Sequence, residues 1–502
     1  MNVDPQSHAA DNDTARIEAS LKPIAQQAAD QYRGDTVSTA MVAGIMRIVD
    51  FLMVAAPGLF VYFVYVGASP DYPYAHPTVV FIASALTIIL LSSTRCYRLP
   101  ALRHPLMQLG RFALVWASVF AFLVIVAFFL KVSEEYSRLW IASWFIAGFV
   151  LLVIGRLICA RLIRRWSSRG VMERRAVIVG GGPSAEELIR SLEQQPDNDI
   201  RICGIFDDRD EKRSPLVVAG YPKLGNISEL IEFARIAHID MLIVSLPLAA
   251  ETRVLQLLKR LWVLPVDIRL SALNNPLRFR PRAYSYVGSV PMLDIFDRPI
   301  NDWDSVAKRA FDIIFSLFGL ILFSPVMLAT AVAIKLDSKG PVIFMQKRHG
   351  FNNEIIQVWK FRSMYTDQSD PTARKSVTKN DPRVTRVGRF IRKASIDELP
   401  QFFNVLAGSL SLVGPRPHAV AASSHNLLYN EVVEGYFARH RVKPGVTGWA
   451  QINGWRGEVD TDDKIKIRTE FDLYYIENWS LWFDLKILLL TPIRLLNTEN
   501  AY

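Results

Sequence analysis

FDIIFSLFGLILFSPVMLATAVAI, spanning Phe311–Ile334, is where the fold is decided. The run is apolar for longer than the roughly 20 residues that cross hydrocarbon, apart from Asp312 near its start. At its centre stands Ser324-Pro325. Proline removes a helical hydrogen bond and clashes with the turn before it, so a sharp bend is expected. A crossing helix also tolerates proline where neighbours satisfy the freed carbonyls. Topology separates the two readings. If the segment crossed, everything after it would lie outside. That stretch is rich in Lys and Arg, with Arg383, Arg386, Arg389, Arg392 and Lys393 close together, against the positive-inside rule. The reading is therefore a re-entrant helical hairpin over about residues 306–336, with the Ser324 hydroxyl helping to cover a freed carbonyl.

Upstream, four further apolar runs cover Met41–Val66, Pro77–Ser93, Phe112–Leu130 and Leu139–Ala160. Arg95, Arg98, Arg103 and Arg111 crowd the second connection, and Arg161, Arg164, Arg165, Arg169, Arg174 and Arg175 follow the fourth run. The first connection has no Lys or Arg. The polar tail (1–40, read as disordered), the second connection and everything after Arg161 are thus expected on the cytoplasmic face of a bacterial inner membrane. Within the first run Arg47 and Asp50 stand one helical turn apart and are read as a pair near the membrane surface. The 502 residues carry a net charge of +10 although 51% are apolar. With membrane spans present, that basic excess points to anionic head groups or phosphorylated substrates rather than nucleic acid. Three cysteines without paired spacing, Cys96, Cys159 and Cys203, support neither a disulfide framework nor a zinc site.

Residues 172–273 read as a Rossmann-like α/β domain. Strand Ala176–Val179 enters Gly180-Gly181-Gly182-Pro183, a helix follows, and strand Ile200–Phe206 ends in Asp207-Asp208. Gly180, Gly182 and Asp207 have the layout of a nucleotide-binding turn, yet the same glycines serve close helix–strand packing, and no Tyr-x-x-x-Lys dyad follows. A structural or regulatory role is favoured. Residues 274–302, rich in Pro and Arg, read as a linker.

The last domain, 303–502, is read as α+β and holds the chemistry. Pro341–Gln346 and Ile355–Phe361 suggest a β-hairpin about Gly350–Asn353. Next, DPRVTRVGRFIRK (Asp381–Lys393) runs directly into Ser395-Ile396-Asp397-Glu398. A capping box, Ser395 with Glu398, explains two of these residues. It does not explain an acid, Asp397, set beside so many cations. One carboxylate can attack phosphorus while the other holds a metal; an anion attacking an anionic diphosphate needs Mg²⁺ and arginines to spread charge. Arg416, between Pro415 and Pro417, suits a rigid phosphate clamp. Lys360 and Arg362, two apart on a strand, share a face and are candidates to meet phosphate; a surface salt-bridge role is the alternative.

Taken with KRHG (Lys347–Gly350), WKFRSM (Trp359–Met364), LVGPRP (Leu412–Pro417), KPGVTGWAQINGWRG (Lys443–Gly457) and DLYYIENWSLWFDLKIL (Asp472–Leu488), these motifs resemble the catalytic domain of the bacterial monotopic phosphoglycosyl transferases, the polyprenyl-phosphate hexose-1-phosphate transferases. The spans and α/β domain resemble the long members. The resemblance implies that Asp397 attacks the β-phosphate of a UDP-sugar, releases UMP, and passes the sugar phosphate to undecaprenyl phosphate. It implies Glu398 as the Mg²⁺ carboxylate and Arg416 as a phosphate contact, with Arg383 and Arg386 as further candidates. Asp472 is the second acid near the site, with Asp484 as its rival. GPRPHAV, the acids Asp460, Asp462 and Asp463, and the ending NTENAY favour UDP-glucose over UDP-galactose or a UDP-N-acetylhexosamine. A homodimer is the assembly the long members suggest. Two other classes compete: a membrane-tethered nucleotide-sugar oxidoreductase or dehydratase using the glycine turn, and a non-catalytic scaffold for polysaccharide export.

Overall fold

The computed structural model describes residues 21–495 apart from 35, 68–74, 169–171, 195–199, 210–213, 247–250, 274–284, 288–289, 367–380, 419–422, 425–426, 429–435 and 456–460. The first twenty residues of the tail, Asp460 and the ending NTENAY lie outside the described residues. The chain forms two compact units, residues 34–174 and the remainder.

In the first unit, four apolar helices each reach membrane-crossing length: Thr39–Val66, whose last turn is a π-helix, then Ala75–Ser93, Pro105–Phe129 and Arg138–Trp166. They pack around Trp116, Trp140 and Trp144. A buried indole N–H needs an acceptor: Trp140 donates to the Gly58 carbonyl (2.9 Å) and Trp144 to that of Val54 (2.8 Å). Asp50 does not pair with Arg47. It is fully buried against Arg156 of the fourth helix and accepts from the Tyr97 hydroxyl (2.7 Å). Arg47 instead lies over the Tyr97 ring, 5.1 Å from its centroid. Asp50 faces inward, where only another buried side chain can neutralise it.

The second unit begins with a helix the sequence reading placed in the disordered tail. α1 (Pro23–Gln31) buries Ala25 and Ala29, and with Leu21 and Tyr32 joins one face of the α/β core. The Tyr32 carbonyl accepts from Arg175 (2.5 Å) and from the His238 amide (3.1 Å). The small Ala faces permit close approach, which polar composition alone does not reveal.

The sheet contains β1 (Arg174–Val179), β2 (Ile200–Phe206), β3 (Val217–Val218), β4 (Tyr221–Gly225), β5 (Met241–Val244), β6 (Asp267–Ser271), β7 (Ser285–Val287) and β8 (Val290–Phe296), in the order β3-β4-β2-β1-β5-β6-β8-β7. β1 pairs parallel with β5, and β5 with β6, whereas β8 runs antiparallel to β6. The sheet is mixed, and Ser285–Val287 and Val290–Phe296 belong to it rather than to a linker. Val287, Val290 and Met292 are buried against the helix Pro183–Glu193 and its strands, so this Pro-rich stretch still has an apolar face to hide.

The last domain opens with α2 (Asp302–Asp337), a helix of 36 residues that continues through Pro325, where the sequence reading expected a sharp bend. The hairpin β9 (Ile343–His349) and β10 (Ile355–Phe361) follows, with Ile356 opposite Arg348 and Lys360 opposite Phe344. α3 (Arg386–Lys393) is capped by Thr385, whose hydroxyl accepts from the Gly388 amide (2.9 Å). A short 3₁₀ turn, Ile396–Glu398, leads into α4 (Gln401–Ala407), and β11 (Ser411–Val413) pairs with β12 (Gly445–Thr447).

Candidate active site

Three chain segments converge on the acids. The 3₁₀ turn supplies Asp397 and Glu398, β10 supplies Lys360, and the loop after β11 supplies Arg416. No capping box forms: Ser395 sits in the left-handed region (φ 59°) and makes no cap hydrogen bond. The Glu398 carboxylate goes elsewhere, to Lys360 (2.9 Å) and Arg416 (2.5 and 3.3 Å). Lys360 and Arg416 are both largely buried, so this is a shielded cluster rather than a surface pair.

The two neighbouring acids are electrostatically unlike. Burial alone would raise Glu398, but the Arg416 and Lys360 charges and hydrogen bonds hold it well below the usual carboxylate range. Burial raises Asp397, and the Glu398 charge adds to that rise, against the opposing pull of Lys360. Among the described residues none hydrogen-bonds to the Asp397 carboxylate. Glu398 is thus fixed and anionic, and Asp397 is desolvated and uncommitted, which is what a nucleophile requires.

The sequence reading passed over Arg348 as a site residue. It is fully within the cluster, where burial and the adjacent Arg416 charge bring it down to about 10, and it donates to Gln346 and to the Pro417 carbonyl. The signal was available in the register. Arg348 opposes Ile356, which alternates onto the same face as Lys360.

Arg416 is held from behind. Its carbonyl accepts from Arg439 (2.8 Å), which also pairs with Asp472 and contacts the His418 ring and the Tyr436 hydroxyl. Burial raises Asp472 although Arg439 opposes it. Asp472 therefore supports the site at one remove. Asp484 serves elsewhere, binding Lys308 (2.6 Å) at the base of α2. Glycines fix the loop's path. A Cβ on Gly445 would lie 2.1 Å from the Gly414 amide nitrogen, and one on Gly448 would lie 2.3 Å from the Gly414 carbonyl oxygen. The LVGPRP and KPGVTGW motifs are thus two backbones in direct contact.

Other candidates are not brought to the site. Arg362 is buried and donates to the carbonyls of Ser338 (2.6 Å) and Lys339 (2.9 Å), tying down the end of α2. Strand β10 stops at Phe361, so the shared face does not extend to it. Arg383 forms a forked pair with Asp381 (2.6 and 3.0 Å). Arg386 is exposed at the start of α3. In the α/β domain, Asp207 accepts from the Gly181 amide (2.7 Å) and from Arg209 (2.8 Å), and a Cβ on Gly182 would lie 3.3 Å from the Arg209 guanidinium. Protein groups therefore already use the acid and cover the glycine turn formed by Gly180 and Gly182.

No group of three or more His, Cys, Asp and Glu able to hold a metal occurs among the described residues. Two adjacent carboxylates fit Mg²⁺, which commonly retains waters and takes substrate phosphate oxygens, and do not fit an all-protein cage.

The family described as bacterial sugar transferase matches residues 303–498, and one described as a CoA-binding domain matches 92–272. The chain is 36% identical over 468 residues to a UDP-glucose:undecaprenyl-phosphate glucose-1-phosphate transferase of Xanthomonas campestris pv. campestris, covering 91% of this chain and 94% of that one. It is 40% identical to a protein of the same name from Escherichia coli (strain K12), covering 73% and 76%. A UDP-N-acetylgalactosamine-undecaprenyl-phosphate N-acetylgalactosaminephosphotransferase of Aeromonas hydrophila is 48% identical over 185 residues, 37% of this chain and 42% of that one. With one relative matched at this identity over nearly its whole length, the chain belongs to the bacterial sugar transferases, the polyprenyl-phosphate hexose-1-phosphate transferases that its motifs resemble.

Proposed function

We propose that this protein transfers glucose-1-phosphate from UDP-glucose to undecaprenyl phosphate at the cytoplasmic face of the bacterial inner membrane, initiating a lipid-linked polysaccharide. The observation that carries the reading is the uncommitted, desolvated Asp397 carboxylate beside Lys360 and Arg416, two cations that share the single Glu398 carboxylate.

In the first step an Asp397 oxygen attacks the β-phosphorus. The bond to the α-phosphate breaks, and UMP leaves with the electron pair. In the second, a phosphate oxygen of undecaprenyl phosphate attacks the same phosphorus, and Asp397 departs as carboxylate. Lys360, Arg348 and Arg416 surround the acids and would take up the negative charge of the diphosphate. Arg439 and Asp472 keep Arg416 in place. Mg²⁺, when held by Glu398, would neutralise diphosphate charge and leave Asp397 free to attack.

The membrane placement rests on α2. Laid straight, 36 residues would span about 54 Å. Near its start Lys308 donates to the Val413 carbonyl (3.1 Å) and Arg309 to that of Val405 (2.6 Å); near its end Asp337 accepts from the Val387 amide (3.1 Å). Both ends are fastened to one folded domain, which supports a re-entrant course rather than a crossing. Between them Ile314, Phe318, Ile321 and Leu328 are exposed, the surface a lipid leaflet would cover.

A second donor has one observation in its favour: the catalytic region is as similar to an N-acetylgalactosamine-phosphate transferase as to glucose relatives. The long matches carry glucose names, and glucose is preferred. The test is UMP release by protein in nanodiscs with undecaprenyl phosphate, Mg²⁺ and UDP-glucose, UDP-galactose or UDP-N-acetylgalactosamine. UMP from UDP-glucose, absent with Asp397→Asn, supports the proposal; release of UDP instead would overturn it.

A further inference from the structure

A cavity of about 280 Å³ opens between the α/β domain and the sugar-transferase domain. Its basic wall is Lys259 with Arg235, which pairs with Glu232 (3.0 Å), and Arg260, which pairs with Asp208 (3.2 Å), all of the α/β domain. Its apolar wall includes Val263, Leu264 and, from the other domain, Phe437. His440 also lines it. That ring is only 3% exposed, stacks on His349 with centroids 5.6 Å apart, and finds no hydrogen-bond partner for either nitrogen among the described residues. The Asn353 carbonyl oxygen, on the same lining, is buried and unpaired too. Buried polar atoms are nearly always satisfied in native proteins, so these point to a ligand. Burial and the nearby Arg439, His349 and Arg235 charges hold His440 well below its usual range. At neutral pH it therefore offers one N–H donor and one acceptor.

We propose that this interdomain cavity binds a nucleoside phosphate and that its occupancy is transmitted to the catalytic cations. Its size lies just below the roughly 300–1,000 Å³ typical of small-molecule sites. The arginines and lysine suit a phosphate, Phe437 and the aliphatic wall suit a base, and His440 with Asn353 supplies the donor and acceptor that a base or ribose edge needs. Transmission has two routes. Asn352 and Asn353, both at positive φ, form the turn between β9, which bears Arg348, and β10, which bears Lys360. The 3₁₀ segment Tyr436–Arg441 bears His440 and also Arg439, which holds the Arg416 carbonyl.

The experiment titrates the full chain in nanodiscs with UMP, AMP, coenzyme A or inorganic phosphate by calorimetry. It compares wild type, Arg416→Ala (which weakens the active site), and Arg235→Gln with Arg260→Gln, two neutral changes outside the catalytic cluster that keep side-chain length. A nucleoside phosphate should still bind Arg416→Ala and bind the double variant at least about tenfold more weakly, while that variant melts like wild type and keeps basal UMP release. Binding lost with Arg416→Ala, or unchanged in the double variant, overturns the site. Inorganic phosphate bound as tightly as nucleotide overturns the ligand class. A saturating nucleotide that leaves kcat and the KM for UDP-sugar unchanged overturns the coupling. The binding arm needs no turnover, so its outcome is separate from that of the proposed reaction.

Discussion

Asp397 and Glu398 are adjacent in sequence and differ in everything that matters chemically. Glu398 spends its charge on Lys360 and Arg416, while Asp397 is desolvated without a donor. A nucleophile must be ionised, and the Asp397 pKa is raised, so the ionised fraction falls as pH drops through a value above the ordinary carboxylate pKa of about 4. The first half-reaction should lose rate on the acid side at that higher pH. Glu398→Gln removes one of the charges that raises Asp397 and leaves Lys360 and Arg416 facing it. The acid limb should then move to lower pH while overall activity falls by about 10²-fold or more; an acid limb that stays put would sink this assignment. Asp397→Asn should abolish UMP release by at least about 10³-fold. Stripping divalent cations should likewise stop UMP release, with Mg²⁺ restoring it; full activity in excess chelator would remove the metal from the reaction.

Among elements, the contact between the β11 loop and the β12 region decides where Arg416 points. Gly448→Ala forces a Cβ against the Gly414 carbonyl, 2.3 Å away. Overpacking against backbone costs about 1–3 kcal/mol. The expected result is a higher KM for UDP-sugar and a lower melting temperature, both read against wild type. The long helix poses a second test. Replacing Ser324-Pro325 with Leu-Leu restores the missing hydrogen bond and favours a straight span. A cysteine placed after residue 338 should be reachable only from the cytoplasmic side in wild type and from the opposite side in the variant. Cytoplasmic labelling in both would show that the anchors at Lys308, Arg309 and Asp337, rather than Ser324-Pro325, set the topology.

At the scale of the whole molecule, the N-terminal segment is part of the α/β domain although the first apolar helix intervenes in sequence. Arg175 and Arg201 lie 5.6 and 5.9 Å from the Tyr32 ring centroid, and Leu21, Ala25 and Ala29 share the core of that domain. Tyr32→Ala should cost about 2–4 kcal/mol, seen as faster proteolysis of the α/β domain, with little change in the site residues' own chemistry. What the sequence by itself determined was whatever a local rule encodes. Apolar runs of bilayer length marked the membrane segments, the glycine turn marked the first β–α unit, and the Arg-rich run leading into Asp397-Glu398 marked the candidate acids. What only the tertiary structure decided was partner choice. Asp50 took Arg156 over the nearer Arg47, Glu398 took Lys360 and Arg416 over a cap on Ser395, and Arg362 took the end of the long helix over phosphate. Residues 23–31 and 285–296 joined a core whose other members lie far along the chain. The physical reason is common to all of these. A buried charge or a weakly apolar face is satisfied by whatever group packing brings to it, and that group's position in the chain is set by the fold, not by its neighbours in sequence.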